Sequence, residues 1–235
     1  MGIQTSAGVI LAAEKRLTSS LLEQSRLVAC QLAVYLLLTQ GSALRSIEKV
    51  YEIDSHVGAA ISGLTADART LVDRLRIEAQ NHTFVYAEPM KPESLMQSLS
   101  DIMISFGEGK DDDRKVKMGR PFGVSLLTGG VESGKPVLYC IDPSGTYVKY
   151  KAHAIGNGGE AARSMLQERY DVTMGLEDAK VSTVRVLVEG MEDKVSKDNC
   201  EVVTITPEGG FQILGGDEIE ALIAQAKEQK AKEDA

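Results

Sequence analysis

The sequence predicts an α+β protein built as a four-layer αββα sandwich, in which two antiparallel sheets face each other and a pair of helices covers each outer side. Three observations predict it. Apolar runs of strand length, bounded by turn residues, occupy much of residues 8–62 and 120–148. Stretches with apolar residues at three- and four-residue steps occupy 65–106 and 159–192. Two more short apolar runs and a last helical stretch close the chain. Strands, two helices, strands, two helices, strands give each sheet a helical pair for its outer face and leave the inner faces to bury each other.

The first strand is Gly8-Val9-Ile10-Leu11-Ala12-Ala13-Glu14. Val50-Tyr51-Glu52-Ile53-Asp54 is the second and, past Ser55-His56, Val57-Gly58-Ala59-Ala60-Ile61-Ser62 is the third. These three are expected to form one antiparallel sheet. Residues 65–80 place Ala68, Leu71, Val72, Leu75 and Ile77 on one helical face, and 91–106 repeat the pattern with Leu95, Met96, Leu99, Ile102 and Met103. Pro92 sits where the first helical turn tolerates it. Residues 107–119, with Asp111-Asp112-Asp113, form a polar surface loop. A three-strand meander follows: residues 120–130, then 137–141, then a strand after the turn Asp142-Pro143-Ser144-Gly145. A helix opening at Asn157-Gly158-Gly159-Glu160 is placed to cover this meander. Helices over 159–170 and 176–192 precede strands at 202–206 and 211–214, joined by Pro207-Glu208-Gly209-Gly210. A final helix runs from 216 to about 227, and 228–235 form a frayed tail. No repeat or linker divides the chain, so 1–235 is expected to be one domain.

With 43% hydrophobic residues, no Trp and four Phe, the core must be mostly aliphatic. A net charge of −8 with no basic stripe argues against nucleic acid as a partner. Cys30, Cys140 and Cys200 are far apart, as are His56, His82 and His153, so neither a zinc site nor a disulfide framework is indicated. No metal or cofactor is expected. The apolar run 27–38 is shorter than the ~20 residues that span a bilayer, and it lies too far behind charged residues to be a secretion signal. No membrane partner is expected.

Seven motifs carry a family resemblance: Ser46-Ile47-Glu48-Lys49-Val50, Ile53-Asp54-Ser55-His56-Val57-Gly58, Ser62-Gly63-Leu64-Thr65-Ala66-Asp67-Ala68-Arg69, Gln80-Asn81-His82, Arg120-Pro121-Phe122-Gly123-Val124, Asp142-Pro143-Ser144-Gly145-Thr146 and Ala154-Ile155-Gly156. In this order they make the chain similar to α-type subunits of the 20S proteasome core, most closely the alpha-5 type. The resemblance implies the N-terminal nucleophile hydrolase fold, which is the same four-layer sandwich. Two departures stand out. The family's N-terminal segment, a Tyr-Asp-Arg turn and a helix across the sheet, has no counterpart before Met1, so this chain is not expected to gate the axial pore. Residues 25–45 have no counterpart in the family pattern either. They read as a retained intron or gene-model error, or as a real insertion with an exposed apolar stretch.

The resemblance implies a structural subunit of the outer ring, without catalytic residues. It would support assembly with other α and β subunits, ubiquitin-dependent protein degradation and docking of regulatory particles, in cytoplasm and nucleus. β-type subunits instead cut peptides with an N-terminal threonine whose free amine acts as base. Here the chain starts Met1-Gly2-Ile3-Gln4-Thr5, and Lys49, at the place of the β-type catalytic lysine, has no nucleophile to serve. The resemblance gives Lys49 a different role, pairing with the C-terminal carboxylate of an activator tail. Gly63 and Leu64 would let the tail's backbone approach. A solvated surface lysine is the plain competitor. The alternatives are an active threonine peptidase and a truncated variant that does not assemble. Gly129-Gly130 reads as a strand end, and Asp111–Asp113 as a solvated loop without metal.

Overall fold

In the computed structural model, residues 1–15, 49–105, 119–191 and 195–233 are described. The segment 25–45, Asp111–Asp113 and Cys30 lie outside them. Ten strands form two five-stranded sheets. The first holds β1 (Gly2–Gln4), β2 (Val9–Glu14), β8 (Ala152–His153), β9 (Cys200–Thr206) and β10 (Gly210–Ile213), in the order β10-β9-β2-β1-β8. The second holds β3 (Val50–Asp54), β4 (Val57–Gly63), β5 (Val124–Glu132), β6 (Lys135–Ile141) and β7 (Tyr147–Tyr150), in that order. All pairings are antiparallel.

Three buried clusters show why the strands read as nearly continuous apolar runs. Val9, Leu11 and Ala13 of β2, with Val203 and Ile205 of β9, face Val50, Ala60, Leu127 and Leu138 of the second sheet. Ile10, Ala12, Cys200 and Val202 point the opposite way, into helices α3 (Gly159–Arg169), α4 (Leu176–Gly190) and α5 (Gly216–Glu233). Ala59, Leu126 and Tyr139 do the same on the other side, under α1 (Thr65–Tyr86) and α2 (Pro92–Ile104). Successive side chains of a strand point to opposite faces, and here both faces are covered. The layers are therefore helix, sheet, sheet, helix, as the pattern predicted.

Four expectations need correction. The strand at 8–14 does not share a sheet with those at 50–54 and 57–62. β2 pairs with β9, while β4 continues into the meander through an unbroken ladder from Val57↔Gly130 to Gly63↔Val124. Hydrophobic pattern marks each strand but not its non-local partner. The helix opening at Gly159 does not cover the meander. It packs on β8 and α4 of the first sheet, and α1 and α2 cover the meander instead. The outer side of the first sheet thus carries three helices, with α5 packed along α4. Finally, Gly129-Gly130 is not a strand end, because β5 runs on to Glu132. A Cβ on Gly129 would lie 2.7 Å from a Val9 methyl, and one on Gly130 2.8 Å from Pro92, so the pair lets the layers close on both faces.

The sequence pattern missed the short strands β1 and β8, which are three and two residues long. It also stopped the first helix too early. α1 continues to Tyr86 and closes at Ala87 in the left-handed region, φ 54°. The last helix extends to Glu233 through a Lys-, Glu- and Ala-rich stretch that has good helix propensity but little apolar periodicity.

Candidate functional site

A cleft of about 240 Å³ opens at the end of the sandwich where β2 finishes and β3 begins. Its walls include Glu14 from β2, Lys49 just before β3, Ser62 from β4, Asn157 from the loop before α3, and Met191 after α4. Lys49 is half-buried, and its carbonyl accepts a 2.8 Å hydrogen bond from the Ile61 amide, which continues the β3–β4 ladder by one step. That bond fixes the backbone and leaves the side chain at the rim. Among the described residues Lys49 makes no ion pair.

Gly63 and Leu64 follow two residues beyond Ile61, so the three candidate residues share one end of the β3–β4 hairpin. Only Lys49 lines the cleft; Gly63 and Leu64 form an exposed lip beside it. The glycine has a structural cause. Its φ is +126°, and a Cβ there would come within 2.3 Å of the Gly123 carbonyl oxygen. Leu64 donates its amide to that same carbonyl at 2.9 Å, and its side chain, 53% exposed, lies over Gly123.

Asp67, in the first turn of α1, ties this lip to the strand start beside it. Its carboxylate accepts two hydrogen bonds from the Arg120 guanidinium, at 2.8 and 2.9 Å, and one from the Gly123 amide at 2.9 Å. Both Arg120 and Gly123 lie just before β5. The Arg120 hydrogen bonds, then the Gly123 amide, hold the Asp67 carboxyl below the usual carboxylate range in spite of its burial. Asp67, Arg120 and Gly123 lie in two of the seven sequence motifs, but nothing in the pattern gives them a role. A buried carboxylate 53 residues from its arginine has no local signal.

The model of the proteasome subunit family matches residues 28–205. The chain belongs to the proteasome subunit family. It is 42% identical over 229 residues to the probable proteasome subunit alpha type-5 of Schizosaccharomyces pombe, covering 97% of this chain and 84% of that one. It is equally identical over 220 residues to proteasome subunit alpha type-5 of Drosophila melanogaster, 94% of this chain and 82% of that one. The alpha type-5 subunit of Trypanosoma brucei brucei is also 42% identical, over 230 residues, 97% of this chain and 85% of that one.

In this proteasome subunit Thr5 is a turn residue. Its amide donates to the Gly8 carbonyl at 2.8 Å, and its buried hydroxyl accepts from the Gly8 amide at 3.1 Å and lies 3.0 Å from the Gly8 carbonyl. It is engaged in the β1–β2 turn and has no free amine of its own. The histidines are likewise dispersed in structural roles. His56 Nε2 lies 2.8 Å from the Met90 carbonyl, His82 Nδ1 3.1 Å from the Glu88 carbonyl, and His153 stacks on Tyr150 at 4.0 Å. Among the described residues no group of His, Cys, Asp and Glu is gathered as a metal site. Burial pushes the Cys140 thiol up to about 11 and the Cys200 thiol up to about 12, so neither is a ready nucleophile. No described helix is long and apolar enough to cross a membrane.

Proposed function

We propose that this chain is a non-catalytic structural subunit of the outer ring of the 20S proteasome core, working in ubiquitin-dependent degradation in cytoplasm and nucleus. The observation that carries the reading is its 42% identity, over nearly all its length, to alpha type-5 subunits of three distant organisms. Its two helical outer layers and largely aliphatic core suit a wall element held between neighbouring α and β subunits. The turn-bound Thr5 supports the non-catalytic role, because a threonine peptidase needs a hydroxyl next to a free amine.

The same reading makes Lys49, Gly63 and Leu64 the docking point for an activator tail. A terminal carboxylate would meet the Lys49 ammonium at the cleft rim, while the tail's backbone lies along the Gly63–Leu64 lip. An exposed charge-assisted contact of this kind is weakened by salt.

Tagged chain expressed in cells and recovered through a different α subunit tests the assembly. It is expected in intact particles on native gels; a chain found only outside them would overturn the reading. The lone purified chain, given fluorogenic peptides and a probe directed at N-terminal threonines, is expected to show neither turnover nor labelling.

A further inference from the structure

We propose that Asp67 is the positioning residue of the docking lip: its carboxylate, gripped by Arg120 and the Gly123 amide, sets where Gly63 and Leu64 stand relative to Lys49. This inference rests on the docking reading above.

The β4–α1 junction has few other means of holding its shape. Leu64 occupies the N-cap position of α1 but has no side-chain oxygen with which to cap it, and no side-chain cap is made there. Gly63 at φ +126° is the most permissive residue type, so its own sterics do little to hold the backbone in place. Beyond the β4–β5 ladder, which ends at Gly63↔Val124, what fixes the junction is a closed set of contacts with residues 120–123. The Leu64 amide reaches the Gly123 carbonyl, the Gly123 amide reaches Asp67, and Asp67 takes the Arg120 fork. One peptide unit pair at Gly123 is thus held from both sides by the turn that carries the lip. Asp67 is 8% exposed while Arg120 is 56% exposed, so the carboxylate is the anchored partner. A bidentate arginine contact fixes angle as well as distance. Lys49 is placed separately, by the β3–β4 ladder, so the two halves of the site can be perturbed independently.

Particles carrying Asp67→Asn, Arg120→Lys, Lys49→Ala or Asp142→Asn, the last in the β6–β7 turn two strands across the sheet from the lip, test this. Each is titrated on native gels with regulatory particle purified from the same cells, at several salt concentrations. Lys49→Ala is expected to weaken docking and flatten its salt dependence, because it removes the charge. Asp67→Asn is expected to weaken docking roughly three- to tenfold with the salt dependence unchanged, and to speed hydrogen exchange at the Leu64 amide. Asp142→Asn is expected to dock as the parent does. If Lys49→Ala docks like the parent, the docking reading falls and this inference with it. If Lys49→Ala weakens docking but Asp67→Asn does not, the positioning role alone is overturned. Should Asp67→Asn not enter particles, Arg120→Lys decides, since it keeps the charge and loses the fork; parent-like docking and parent-like Leu64 exchange would refute the proposal.

Discussion

Replacing Gly63 with alanine separates a glycine kept for a visiting peptide from one required by its own backbone. At φ +126° a residue with a Cβ is in a region essentially reserved for glycine, which costs about 1–3 kcal/mol. The new Cβ would also sit 2.3 Å from the Gly123 carbonyl oxygen and 2.9 Å from the Val124 Cα, both backbone atoms that cannot rotate away. Relieving such an overlap costs a further ~1–3 kcal/mol. Gly63→Ala should therefore lose roughly 2–6 kcal/mol of stability. Urea unfolding, followed by circular dichroism and by fluorescence of the seven tyrosines, gives the magnitude. With a slope of about 2–3 kcal/mol/M the midpoint should fall by roughly 0.7–3 M. Hydrogen exchange should rise first at Leu64, whose amide bond to Gly123 is displaced. An unchanged midpoint would mean that the junction relaxes freely, and the backbone explanation of this glycine would be wrong.

Leu127→Ala, fully buried between the two sheets, should cost about 2–5 kcal/mol in the same unfolding assay, and more than an exposed position such as Val148→Ala. Acid should weaken the fold through Asp67 and Glu189. The Asp67 carboxyl is held low by Arg120 and Gly123; that of Glu189, which burial pushes up, is held low overall by Arg169 and Arg185. A depressed folded value means that this stability is present above the unfolded pKa of about 4 and is lost as pH falls through the lower folded values. The urea midpoint should therefore stay level from neutral pH to about 5 and drop below about 4, with a smaller drop in Asp67→Asn. Cys140 and Cys200 should react with a thiol reagent at pH 8 far more slowly than the unfolded chain does; equal rates would show that neither is protected.

Much of the architecture was legible because the two sheet layers impose a simple chemistry. Strands covered on both sides must be apolar throughout, so Val9–Glu14 and Val124–Glu132 stand out, and the amphipathic repeats of α1 and α2 mark the helices that cover the second of them. Pairing was less legible. Val57–Gly63 meets Val124–Gly130, and that ladder depends on the fold closing around two intervening helices. Of the candidate site, Lys49, Gly63 and Leu64 do converge at one end of a hairpin. Their support was hidden, because the Asp67–Arg120 grip joins two motifs whose nearness only the folded chain reveals. Gly63 also has a cause that no sequence pattern shows, since its own φ and the Gly123 carbonyl exclude a Cβ there.

The pairing of Val9 with Ile205 has a consequence for how the chain is made. The two residues are about two hundred positions apart, and a ribosome adds roughly 5–20 residues per second. For some ten to forty seconds, then, an apolar ribbon near the start of the polypeptide waits with its hydrogen-bonding edge open while its mate is still being synthesised. The β3-to-β7 half can close much earlier and offer that ribbon a temporary resting surface. Synthesis speed, or a chaperone that shields the waiting edge, would then govern how much of the product escapes aggregation.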